Sequence, residues 1–116
     1  MKKASIEECA RSILPIRDVL DILSGKWKLQ ILMLLMFEKR RFKDLQQLTQ
    51  GITPKMLVKE LRDLEMNQLI TRKVYDDSPV YIEYAITPYG RTLKKLILEM
   101  EDWGKKHRKR IMMRAS

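Results

Sequence analysis

A chain of 116 residues can build one hydrophobic core without help from disulfides or metals, so a single domain is expected. Its 45% hydrophobic and 34% charged residues exclude a disordered chain, and its longest apolar stretch, Ile31 to Phe37, is far too short to span a bilayer. A formal charge of +9 suits a nucleic-acid partner, yet residues 1–104 carry 18 basic against 15 acidic groups. The excess lies in Lys105, Lys106, Arg108, Lys109, Arg110 and Arg114, a tail with no acidic residue, so pattern rather than net charge has to decide. Met1-Lys2-Lys3 leads into Glu7, Glu8 and Arg11 instead of an apolar signal core. One cysteine cannot close an internal disulfide, and a reducing cytoplasm is the expected setting.

Residues 1–14 read as a polar N-terminal arm. Pro15 suits a first helical position, and Ile16, Val19, Leu20 and Leu23 follow at helical spacing until Ser24-Gly25. Lys26 to Glu38 is apolar on nearly every side, which predicts a central buried helix with Met33 and Met36 in the core. Lys39-Arg40-Arg41 reads as a basic connector. A short helix over Lys43–Leu48 should turn Phe42, Leu45 and Leu48 inward, and Gln50-Gly51-Ile52 supplies a turn. Thr53-Pro54 is a cap followed by proline at the first helical position, opening a helix to about Met66. Two strand-like segments follow, Leu69–Tyr75 and Val80–Thr87, joined by Asp76-Asp77-Ser78-Pro79. Thr87-Pro88 repeats the cap-and-proline signal and opens a long last helix to about residue 112. The expectation is an α+β, mainly α chain. It is a helix-turn-helix core over 15–87 with a two-stranded wing and a long C-terminal dimerisation helix over 88–112.

The helix from Thr53 to Met66 carries the sharpest signal. Leu57, Leu61 and Leu64 line one face at i, i+4, i+7, and Lys55, Lys59 and Arg62 repeat that spacing on the opposite face. Such a helix can rest on a core while offering cations to a DNA major groove. Thr53, Lys55, Met56 and Lys59 are therefore expected at the groove, with Arg62 nearer the backbone. Arg41 and Lys43 stand before the motif, where phosphate contacts would position it. The plain alternative is a solvated face on which Glu60 and Asp63 pair with Lys59 and Arg62.

Among the remaining residues, Cys9 beside Glu7 and Glu8 reads as an ordinary thiol, with a redox role as the alternative. His107 has no ligand at metal spacing, and no catalytic constellation or cofactor motif occurs, so no enzyme, metal or cofactor is expected. Leu93, Leu96, Ile97, Met100 and Trp103 form an apolar stripe on the last helix, which predicts a homodimer that buries Leu96, Ile97, Met100 and Trp103 with help from Val19 and Leu23. The other functional class open to such a fold is a protein-interaction module without sequence-specific DNA binding.

Leu20-Asp21-Ile22-Leu23-Ser24-Gly25-Lys26-Trp27, Arg41-Phe42-Lys43-Asp44-Leu45, Gly51-Ile52-Thr53-Pro54-Lys55-Met56-Leu57, Leu61-Arg62-Asp63-Leu64-Glu65 and Glu83-Tyr84-Ala85-Ile86-Thr87-Pro88-Tyr89-Gly90-Arg91 occur in that order. Together they resemble the HxlR family of winged-helix regulators, relatives of the MarR group, over residues 14–104. The resemblance implies a homodimer binding palindromic operators and controlling neighbouring genes, often in detoxification or redox stress. Two positions depart from the pattern. Leu14 stands where many members carry a sensing cysteine. Tyr81 stands where the wing usually offers an arginine, which leaves Lys73 and Tyr75 as the wing's candidate contacts.

Overall fold

The computed structural model describes residues 3–115, with side chains from 5 to 114. The elements run α1 (Lys3–Leu23), α2 (Lys28–Phe37), β1 (Arg40–Arg41), α3 (Phe42–Leu48), α4 (Pro54–Met66), β2 (Ile70–Tyr75), β3 (Tyr81–Ile86), α5 (Pro88–Arg91) and α6 (Lys94–Ala115). Ile31, Leu32 and Leu35 of α2 are fully buried at the centre. Leu45 of α3 closes on them, as do Leu57, Leu61 and Leu64 of α4 and Ile70 and Tyr84 of the sheet. This is the winged helix expected from the sequence.

Four features differ from the sequence expectation. Helix α1 does not begin at Pro15 but carries it as an interior residue. The apolar spacing explains the continuation: Ile6, Cys9, Ile13, Ile16, Leu20 and Leu23 recur at alternating steps of three and four, straight across the proline. The two-stranded wing is present as β2 and β3, but the supposed connector Arg40–Arg41 is itself a strand that pairs antiparallel with the outer edge of β3, giving the order β1-β3-β2. Arg41 has to be extended (φ −81°, ψ 159°) to enter α3, and that same extension lets it join the sheet. The last helix is not continuous from Pro88. Thr87 caps α5 by accepting from the Gly90 N–H at 2.8 Å, and its hydroxyl also reaches the Gln68 and Leu69 carbonyls, which pins this turn to the sheet. A Cβ at Gly90 would run into the Leu69 carbonyl, so only glycine allows this approach. Thr92 and Leu93 then donate three residues back, to Tyr89 and Gly90, before α6 departs on its own course. Gly104 is helical within α6.

The fourth difference concerns burial. Met33 is 41% exposed and Leu48 45% exposed, so neither is core, and Met36 is only half-buried. One face of α2 is covered by α4 and the sheet, while Met33 and Met36 line an open pocket with Ile97 of α6.

Candidate nucleic-acid interface

The helix-turn-helix is set by short-range chemistry. Gly51 turns the chain at φ 89°, in the left-handed region that favours glycine. The Gln46 side-chain amide donates to the Ile52 carbonyl and braces the turn. Thr53 then accepts from the Met56 N–H at 3.2 Å while Pro54 takes the first helical position. At the other end Gln68 adopts φ 64°, and Leu69 and Gln68 donate to the Leu64 and Glu65 carbonyls, closing α4 with a Schellman turn. The helix is thus fixed at both ends and along its leucine face.

Lys55, Met56, Lys59 and Arg62 are exposed, as is Thr53, whose hydroxyl proton is left free by its capping role. The outward charge of this face depends on a residue that the sequence reading missed. Lys28, at the start of α2, reaches Glu60 at 3.1 Å and Asp63 at 3.3 Å from beneath α4. Partial burial opposes its charge, yet the two carboxylates prevail and hold the ammonium above the ordinary lysine value. Lys59 contacts the same carboxylates only loosely, at 3.8 and 4.0 Å, and its side chain is 72% exposed. Lys28 thus shares its one positive charge between both acids from within, offsetting one of their two negative charges. No local spacing betrays this pairing, since the partners lie more than thirty residues apart.

Arg41 and Lys43 are exposed at the start of α3, and the Asp44 carboxylate accepts from the Arg41 N–H at 3.3 Å. The Arg41 guanidinium lies 3.7 Å from the centre of the Tyr81 ring. Tyr81 stacks on Tyr75 (4.7 Å, 13°), and the Lys73 ammonium sits 4.8 Å over Tyr75. The register accounts for the ladder: Arg41 opposes Glu83, Lys73 opposes Glu83 from the other side, and Tyr75 opposes Tyr81, so all share one face of the sheet. Tyr75 is half-buried and donates its hydroxyl to Glu83 at 3.1 Å, which commits to the wing a group that the sequence reading had offered to DNA.

The residues expected at a dimer contact divide. Leu23 and Ile97 are each only 8% exposed within the single chain. Leu96, Met100 and Trp103 are exposed, and half-buried Val19 lies with Ile16, Leu20, Leu96 and Met100 along an apolar groove between α1 and α6 of about 350 Å³. Cys9 is exposed on α1, and His107 stacks on Trp103 at 4.9 Å. Among the described residues no helix is long and apolar enough to cross a membrane.

A helix capped at both ends, greased on one side, cationic on the other and followed by a hairpin defines a DNA-binding transcriptional regulator of the winged helix-turn-helix class. Known proteins place it further. The HTH-type transcriptional regulator YdeP of Bacillus subtilis is 44% identical over 97 residues, covering 84% of this chain and 76% of its own. The redox regulator HypR in its reduced form superposes with a TM-score of 0.75 at 36% identity, over 81% of this chain and 93% of that one. A transcriptional regulator of the MarR family from Enterococcus faecalis V583 gives a TM-score of 0.77 at 29% identity, over 84% and 88%. The model of the HxlR-like helix-turn-helix family matches residues 22–112, and the chain belongs to that family.

Proposed function

We propose that the protein is a cytoplasmic homodimer that binds operator DNA through two copies of α4. Lys55, Met56 and Lys59 enter the major groove, with Thr53 at the helix start. Arg62, Arg41, Lys43 and Lys73 engage the flanking phosphates. The observation that supports this reading is that α4, capped at its start and anchored by Leu57, Leu61 and Leu64, holds Lys55, Lys59 and Arg62 on its exposed face, while Lys28 offsets one of the two negative charges of Glu60 and Asp63 from beneath. HypR is described as a redox regulator. In this chain the one cysteine, Cys9, falls on the apolar seam of α1, and we assign it to packing between subunits rather than to sensing.

Binding of a duplex taken from upstream of the protein's own gene tests the reading. Affinity should fall steeply with salt, and Lys59→Ala should weaken specific binding by about 1–3 kcal/mol without lowering thermal stability. Equal affinity of parent and Lys59→Ala for specific and random duplexes would take α4 out of the interface.

A further inference from the structure

The face of α2 turned away from α4 and the sheet is left open toward its C-terminal end. Met33, Met36 and Phe37 stand there at i, i+3, i+4, and Lys94, Ile97 and Leu98 of α6 meet them with the same spacing. Between the two helices lies a pocket of about 210 Å³. Met36 and Ile97 are its more buried lining, and Phe37, 83% exposed, stands at its mouth. Two cations, Arg91 and Lys94, complete the lining, and no carboxylate does. Arg91 is held in place, because one terminal nitrogen donates to the Met36 carbonyl at 3.3 Å, where the C-terminal end of α2 favours positive charge. Neither Arg91 nor Lys94 enters an ion pair among the described residues.

We propose that this pocket binds a small organic anion with an apolar tail, a carboxylate of short to medium chain length. The lining sets both ends of the ligand. A hydrocarbon tail suits Met33 and Met36, whose unbranched, polarizable side chains adjust to its shape, and the Phe37 ring covers it from the mouth. The charged end needs donors, and the Arg91 guanidinium and the Lys94 ammonium offer N–H groups to one carboxylate. A cationic amphiphile would meet two like charges, and a neutral one would leave both cations unpaired. The volume falls below the ~300–1,000 Å³ of sites for drug-sized ligands, which keeps the tail short. The pocket lies across α2 from α4, so an occupant leaves the outward side chains of α4 uncovered, and the site stands or falls apart from the DNA reading.

The test follows the methionine methyl NMR signals of the full chain as octanoate is added, with octanol and octylamine as its neutral and cationic counterparts. Octanoate should shift the Met33 and Met36 signals saturably, octanol should bind on the order of tenfold more weakly, and octylamine should leave them in place. Met100, in the groove between α1 and α6, should not respond. Lys94 is exposed, so Lys94→Glu should keep the parent's circular dichroism and melting temperature while weakening octanoate on the order of tenfold. Equal binding of octanoate by parent and Lys94→Glu, or of octanoate and octanol by the parent, would overturn the anion site. So would Met33 and Met36 signals that move with protein concentration alone and not with octanoate, which would give the pocket to a second copy of the chain.

Discussion

Tyr81 stands between two partners, the Arg41 guanidinium at 3.7 Å and the Tyr75 ring at 4.7 Å, so one side chain links the short strand before α3 to the hairpin. An exposed cation–π contact is worth about 0.5–1 kcal/mol and an aromatic pair a further ~0.5–1.5 kcal/mol. Tyr81→Leu should therefore lower the urea-unfolding free energy by about 1–2 kcal/mol, while Tyr81→Phe, which keeps the ring, should match the parent. A leucine variant as stable as the parent would show that the ladder is only a geometric coincidence. Tyr81 could be singled out from the sequence because an arginine usually stands there, but its consequence could not. The arginine that meets this ring comes from residue 41, on a strand too short to leave a periodic signature. The hydrogen bond from the Tyr75 hydroxyl to Glu83 was hidden for a related reason: its acceptor on the neighbouring strand is known only once the register is known.

At the scale of elements, α4 was legible almost to the residue, because its cap, its proline and its leucine phase are all local signals. The misread elements are those in which a local signal has two meanings. Proline can open a helix or sit within one, and Pro15 does the second while the seam from Ile6 to Leu23 keeps α1 in one piece. Thr92 and Leu93 keep helical character in composition, so the change between α5 and α6 arises from the pinning of Thr87 and Gly90 to the sheet, not from any breaker residue. The bridge between α2 and α4 offers a test at this scale. The side chains of Lys28 and Glu60 are only 15% and 12% exposed. Lys28→Met would leave Glu60 short of a partner and should cost about 1–3 kcal/mol. The raised Lys28 value fixes the sign of the pH dependence. The stabilisation is fully present below the unfolded lysine value of about 10.4 and is lost as pH rises through the higher folded value. The stability gap between parent and Lys28→Met should thus be flat near neutrality and narrow above about pH 10. A gap that stayed constant up to pH 11 would mean that the ammonium charge is not what holds the two helices together.

As a whole the chain is extended rather than compact. Its radius of gyration is 18.0 Å and its extents are 64 × 42 × 24 Å, against about 13 Å expected for a globular chain of this length. The excess is carried by α1 and α6. Residues 5–18 of α1 are exposed throughout, and on α6 nearly every residue beyond Ile97 is exposed across a helix of 22 residues. A helix standing alone in water at such lengths is marginal, because nucleation is costly and propensity adds little per residue. Beside their charged residues these two helices expose apolar rows: Ile6, Ile13, Ile16 and Leu20 on one, Leu96, Met100 and Trp103 on the other. A second subunit related by a twofold axis would cover both surfaces at once and set two copies of α4 on one face of a duplex, about one helical turn apart. The parent should therefore sediment as a dimer at micromolar concentration. Ile16 is 55% and Met100 40% exposed within the subunit, so Ile16→Glu with Met100→Glu should cost the isolated fold little while placing charge in the shared groove. The double variant should sediment as a monomer, retain its winged-helix circular dichroism, and bind a single half-site no more weakly than the parent subunit does. A parent that is monomeric would sink the dimer. A double variant that stays dimeric would move the contact away from α1 and α6, leaving their apolar faces to some other partner.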